Sequence, residues 1–378
     1  MHSLKCQIFS GKNSVKKIKI IFLTILFFLP QFTWSSDLIV FDNDGLFDDA
    51  LALGLINNSP TKIKVLGVTQ SAGSSTPPIG AQNILSLLEA QQMEKVPVYL
   101  GESWPLKNTC VKMKEFSETF GGVDWMGACR AEGEIPPLQK AKIFPQNEPA
   151  SKFIVDVVKK NPNEVTLVAV GALTNIARAL TDNPEIAPKI KKIIIMGGNS
   201  VFSGISNSCP HSASDSASKY TCGVAIGNAS ALAEFNFWYD PEAADIVLKS
   251  NIPEKILFTL DSTNQIQLDL KQITALVNVK SALSNYYKLR VFEFMKKYPN
   301  RKWNLWDVLP ALYLVDSSIV SETEEVYGSV ITQYGPAYGA FYAHPTDWGK
   351  PGSNSRKMLV VKTVNFSKFY SLLKKKIK

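Results

Sequence analysis

Histidine is scarce in this chain of 378 residues: only His2, His211 and His344 occur. An enzyme built on imidazole as acid, base or ligand is therefore poorly supplied. The five cysteines form no Cys-x-x-Cys pair and lie in no histidine cluster, so nothing points to a Cys/His zinc centre. No apolar run reaches the roughly 20 residues a bilayer-crossing helix needs. No Pro/Ser-rich linker or internal repeat divides the chain, which reads as one α/β domain with inserted loops.

The longest apolar stretch, Ile20 to Leu29, follows Lys12, Lys16, Lys17 and Lys19 and precedes Pro30 and Thr33-Trp34-Ser35-Ser36. Basic, then apolar, then small and polar is the pattern of a secretory signal peptide. We expect residues 1–36 to be removed near Ser35 or Ser36, leaving 37–378 secreted or periplasmic with no stable membrane anchor. The leader carries Lys5, Lys12, Lys16, Lys17 and Lys19 and no acid, so the formal charge of +8 drops by five to +3 on removal. That residual charge gives no support to a nucleic-acid partner. Cys6 leaves with the leader, and Cys110, Cys129, Cys209 and Cys222 remain for an oxidising compartment. Of three connectivities, loop length favours Cys110–Cys129 with Cys209–Cys222.

What the chain does have is a concentration of acid in one place. Leu38-Ile39-Val40-Phe41 runs into Asp42-Asn43-Asp44-Gly45-Leu46-Phe47-Asp48-Asp49, and Ala50-Leu51-Ala52-Leu53 continues as an apolar helical pattern. The run predicts a buried parallel strand whose carboxyl end carries the acids. Asp48 and Asp49 open the next helix, where the dipole favours carboxylates. Four clustered carboxylates repel one another unless a hard cation holds them, and calcium or magnesium is the natural counter-charge.

Further strand-like runs recur at Lys62–Val68, Val96–Leu100, Val165–Val170, Lys192–Met196 and Lys255–Leu260. Helical patterns lie between them at Ile79–Ala90, Ala150–Lys159, Asn175–Leu180 and Pro241–Leu248. This alternation predicts a mostly parallel, Rossmann-like sheet covered by helices, with ligands at the carboxyl ends of strands. Polar or special residues follow those ends: Leu173-Thr174-Asn175, Met196-Gly197-Gly198, and Asn228 with Ala233-Glu234-Phe235-Asn236 ahead of Asp240-Pro241-Glu242-Ala243-Ala244. Glu234 and Asn236 flank a Phe, so in an extended segment they share a side suited to sugar hydroxyls. Trp303-Asn304-Leu305-Trp306-Asp307 places a last carboxylate at the start of an apolar helix.

These segments, in this order, resemble the nucleoside hydrolase family from Asp42 to the basic C-terminus. Asp42-x-Asp44…Asp48-Asp49 matches its Asp-x-Asp-x-x-x-Asp-Asp signature. The resemblance implies calcium held by Asp44, Asp49, Asp307 and the main-chain carbonyl of Thr174, supported by Asp42. It implies ribose bound by Asp48, Asn228, Glu234 and Asn236, with Met196 lining the floor. It implies a water that attacks the anomeric carbon while Asp44 accepts its proton, through an oxocarbenium-like transition state. One departure is Ala72-Gly73-Ser74, where the family usually reads Ala-Gly-Asn; the resemblance leaves one ribose contact open there.

Trp306 stands where the inosine-uridine-preferring branch usually has His. With Leu260-Asp261-Ser262-Thr263-Asn264 it resembles the purine-specific inosine-adenosine-guanosine branch, which stacks the base between tryptophans. Trp125 is the candidate for the opposing ring, ahead of Trp104. The substrate expected is a purine nucleoside; homodimer and homotetramer remain open. Two rival readings use the same residues. Phe41-Asp42-Asn43-Asp44-Gly45 resembles the opening of haloacid-dehalogenase-type phosphatases, but Leu46 replaces their Thr and no Gly-Asp-x-x-x-Asp follows. The other is a catalytically inactive exported protein that binds nucleosides or a host partner.

Overall fold

Burial on both faces marks the first strand, Asp37–Asn43 (β1). Ile39 and Phe41 enter one core and Val40 the other. Such a strand requires helices above and below it. The computed structural model describes residues 36–59, 63–123, 127–129, 140–199, 202–203, 227–289, 296, 299–300, 302–346, 349–350 and 355–378.

After β1 come α1 (Phe47–Asn57), β2 (Ile63–Gln70), α2 (Pro77–Ala90), β3 (Val98–Leu100), α3 (Cys110–Phe120) and a 3-10 turn at Gly127–Cys129. Then follow α4 (Ala150–Lys160), β4 (Val165–Ala169), α5 (Thr174–Asp182), β5 (Lys192–Met196), β6 (Phe202–Ser203), α6 (Phe235–Tyr239) and α7 (Pro241–Lys249). The chain continues through β7 (Lys255–Phe258), α8 (Leu260–Thr263), β8 (Gln267–Leu268), α9 (Leu270–Val277) and α10 (Ala282–Tyr287). It closes with β9 (Trp303–Asn304), α11 (Val308–Val315), β10 (Val320–Val330), β11 (Phe341–Pro345), β12 (Arg356–Val364) and α12 (Phe366–Lys376).

The main sheet has the order β3-β2-β1-β4-β5-β7-β12-β10-β11-β6. From β3 to β12 neighbours run parallel; β10 is antiparallel to both β12 and β11. The strand order reverses between β1 and β4, which opens the crevice where doubly wound sheets bind ligands. One core joins β1 to helices α1, α2, α11 and α12, and the other packs α4, α5 and α7 on the opposite face.

The expected strands and helices are all present, with shifted ends. Thr69 and Gln70 extend β2 beyond the apolar run because they pair in register with Asp42 and Asn43 of β1. The run Lys255–Leu260 divides instead into β7 and the short α8. The expectation of a shared extended side for Glu234 and Asn236 fails. Glu234 caps α6, and Asn236 lies within that helix.

Candidate active site

The acids converge at the crevice from three places in the chain. Asp42, next to last in β1, is buried, its Oδ1 accepting from the Thr69 hydroxyl at 2.5 Å and the Asn175 amide at 2.9 Å. Among the described residues its Oδ2 has no hydrogen-bond partner. Asp44 follows, and the chain then turns through Gly45 at φ +86°, where an added Cβ would stand 2.2 Å from the Gly80 backbone. That turn aims Asp48 and Asp49 back from the first turn of α1.

Asp49 is held by its own turn: Oδ2 accepts the Leu46 N–H at 2.7 Å and Oδ1 the Asp44 N–H at 3.4 Å. Leu46 has no capping side chain, so Asp49 supplies the reciprocal half of a capping box. Asp307 arrives from the start of α11. Carboxylate oxygens of Asp48, Asp49 and Asp307 all lie within 4.8 Å of one another. Asp44 stands beside this trio and its Oδ2 accepts the Ser74 N–H at 2.8 Å. Asp48, read from sequence as a ribose contact, thus shares the cluster with the metal candidates Asp49 and Asp307.

Burial raises every carboxyl here. Asp42 is pushed up to about 7 and Asp48 to about 6, first by burial and then, against their hydrogen bonds, by the charge of Asp44. Asp44 is raised by burial against hydrogen bonds from Ser74, and Asp49 and Asp307 are raised well above the usual range by burial and neighbouring acids. Buried like charges at this spacing need either protons or a cation. The donor set is all oxygen and buried, so the residues fit a hard divalent ion.

Thr174 opens α5, and its hydroxyl donates to Asp240 Oδ2 at 2.7 Å. Met196 ends β5, buried, where its carbonyl accepts from the Asn236 amide at 3.1 Å. Glu234 accepts from the backbone N–H groups of Gly198, Asn236 and Phe237 at 3.0, 2.9 and 3.1 Å, and burial lifts its carboxyl to about 7. Asn228 Oδ1 accepts the Phe235 N–H at 2.7 Å. Asn228, Glu234, Asn236 and Met196 therefore form one connected wall.

Trp306 is half-buried beside Asp307, its indole N–H donating to Asn264 Oδ1 at 2.9 Å. Trp303 packs on Phe47, the residue before Asp48, with ring centroids 4.6 Å apart. Trp104 is mostly exposed. Trp125 lies outside the described residues, as do Cys209 and Cys222. Cys110 and Cys129 are joined, as loop length favoured. Sequence reasoning gave no role to Thr69, Asn175, Asp240 or Asn264. Thr69 was detectable only through strand register, and Asp240 was legible as a cap before Pro241.

Comparison with known proteins agrees with this geometry. The pyrimidine-specific ribonucleoside hydrolase RihA of Salmonella arizonae is 28% identical over 77% of this chain and 83% of its own. A protein of Schizosaccharomyces pombe is 30% identical over 89% of this chain and 97% of its own. The solved structure of a purine-preferring ribonucleoside hydrolase from Gardnerella vaginalis superposes with a TM-score of 0.69 at 25% identity, covering 90% of this chain and 98% of that one. A plant nucleoside hydrolase gives 0.70 at 23%, covering 91% and 99%, and shares the fold. Residues 39–371 match the inosine-uridine preferring nucleoside hydrolases, and the chain belongs to that family of ribonucleoside-cleaving enzymes.

Proposed function

We propose that this ribonucleoside hydrolase is an exported, calcium-dependent enzyme that cleaves the N-glycosidic bond of purine nucleosides to free base and ribose. The observation that carries the metal reading is the buried trio Asp48, Asp49 and Asp307 with Asp44 beside it. Asp44, Asp49, Asp307 and the Thr174 carbonyl would hold the ion, with Asp42 behind them. An all-oxygen set from loop and helix ends suits calcium better than the stricter octahedron of magnesium. Bound there, calcium would supply a fixed positive charge that makes a water a better nucleophile and favours the sugar hydroxyls.

The protein's own groups do the rest. Asp44 takes one proton from the attacking water as its oxygen bonds to the anomeric carbon and the bond to the base breaks. The carboxylates stabilise positive charge developing on the sugar ring, a charge absent from the ground state. Asn228, Glu234 and Asn236 form the wall against the ribose over Met196. Trp306 stacks on the base, which leaves with a proton from solvent.

Purine preference rests on Trp306 in the position of the usual His, and on its anchoring by Asn264. Relatives point both ways, one named pyrimidine-specific and one purine-preferring. Export rests on the leader. Among the described residues no helix is long and apolar enough to cross a membrane. The test is ribose release from inosine by purified protein. Loss on chelation and recovery with calcium but not magnesium is expected; nucleoside cleavage that survives complete demetallation would overturn the metal assignment. Hydrolysis of a phosphate monoester, with nucleosides untouched, would favour the phosphatase reading instead.

A further inference from the structure

We propose that Ser75 and Asn83 are positioning residues for the acids of the site: from the loop ahead of α2 and from α2 itself they hold the two main-chain carbonyls of the turn that joins Asp44 to Asp48 and Asp49. The proposal rests on the hydrolase reading of those acids and concerns two residues that touch neither ion nor sugar.

The turn has two kinds of backbone group to satisfy, and one carboxylate cannot serve both. From inside, Asp49 accepts the N–H groups of Asp44 and Leu46 at 3.4 and 2.7 Å. A carboxylate only accepts, so the carbonyls of the same turn need donors from elsewhere in the chain. The Ser75 hydroxyl donates to the Asp44 carbonyl at 2.7 Å, and the Asn83 amide donates to the Gly45 carbonyl at 2.9 Å. Asp44, Gly45, Ser75 and Asn83 are all buried, so a carbonyl that loses its donor is left unsatisfied.

Packing holds the turn on the same helix. A Cβ added at Gly45 would stand 2.2 Å from the Gly80 main chain and 2.7 Å from Ser75 Oγ, so the turn lies directly against α2. Asn83 is itself fixed from behind. Its main-chain carbonyl accepts the Ser86 hydroxyl at 2.9 Å and the Tyr286 hydroxyl of α10 at 3.0 Å. The turn sets where Asp44 stands relative to Asp48 and Asp49, so a shift of its carbonyls misplaces several carboxylates together. Groups that orient metal ligands from behind typically change metal affinity or turnover by about 10–100-fold when lost.

The experiment compares Ser75→Ala, Asn83→Ala and the wild type by calorimetric calcium titration and by kcat on inosine at saturating calcium, with melting temperature as a control for folding. Ser284→Ala is the matched control. It also deletes a buried hydroxyl that donates to a main-chain carbonyl, at 3.0 Å, but its acceptor is Leu276 of α9 instead of the turn. Ser75→Ala and Asn83→Ala should each bind calcium about 10-fold more weakly and lose kcat by a similar factor. Ser284→Ala should melt lower and keep both. Native calcium affinity and kcat in either turn variant would overturn the proposal. So would equal losses in Ser284→Ala, which would trace them to stability alone. If one turn variant does not fold, the other carries the test. A wild type that binds calcium but cleaves no nucleoside would sink the hydrolase reading, and the calcium titrations would still decide the role of Ser75 and Asn83. A wild type that binds no calcium and cleaves no nucleoside would overturn both.

Discussion

Asp240 Oδ2 accepts two hydrogen bonds, from the Thr174 hydroxyl at 2.7 Å and the Leu106 N–H at 2.9 Å, while its Oδ1 caps α7 through the Ala243 N–H at 3.1 Å. The residue whose carbonyl is assigned to calcium is therefore pinned to a second helix. Thr174→Val keeps the shape and removes the hydroxyl. It should weaken calcium by about 10-fold and cost about 1–3 kcal/mol of stability, since Asp240 is buried. Calorimetric titration and thermal melts check both; native calcium affinity would dissociate Asp240 from the metal.

Asp44→Asn should fold and lose turnover by about 10²–10⁴-fold, because an amide cannot accept the proton of water. Calcium occupancy must be measured in the same sample. A variant with full occupancy and native kcat would remove Asp44 as the base.

The raised carboxyls make a pH prediction. Asp42 and Glu234 titrate near 7 in the folded chain, against ordinary values of 3.8 and 4.5. Between those limits the folded state holds more protons than the unfolded one, so stability of the metal-free protein falls as pH rises toward 7. Calcium competes with those protons. The gap in melting temperature between calcium-loaded and chelated protein should therefore widen from about pH 4.5 to 7. A gap that narrows over that interval would contradict the burial argument.

Much of this was legible because period and position agree. The apolar run into Asp42, the acids opening α1 and the carboxylate at Asp307 each follow from local rules of strand, helix and cap. Ser74, Thr69 and Asp240 matter through partners 27 to 66 residues away, a relation created by strand register and crossover and invisible to local pattern. The Glu234 expectation failed for a related reason. Its carboxylate could cap three backbone N–H groups, and that local satisfaction outweighed an extended path.

The Cys110–Cys129 bridge closes a separation of 19 residues. Reducing it should lower stability by about 3 kcal/mol. Melts with and without reductant, alongside peptide mapping, check this. Free thiols at both positions in protein recovered from an oxidising compartment would reject it.

Substrate choice is the last prediction and turns on Trp306. Its indole N–H is anchored on Asn264 at 2.9 Å, which fixes the ring plane beside Asp307. Stacking on an indole is worth about 1–3 kcal/mol per base, and a bicyclic purine overlaps more than a pyrimidine. A purine also offers N7, which solvent can protonate as the bond breaks, whereas uracil has no such nitrogen. Inosine, adenosine or guanosine should therefore show higher kcat/KM than uridine or cytidine. Trp306→Ala should lose most on purines and narrow the ratio. Asn264→Ala, which frees the ring without removing it, should narrow it less. If Trp306 only packs the start of α11, its loss should lower the melting temperature and leave the ratio unchanged. Equal cleavage of inosine and uridine by the wild type would overturn purine preference while leaving the hydrolase assignment in place.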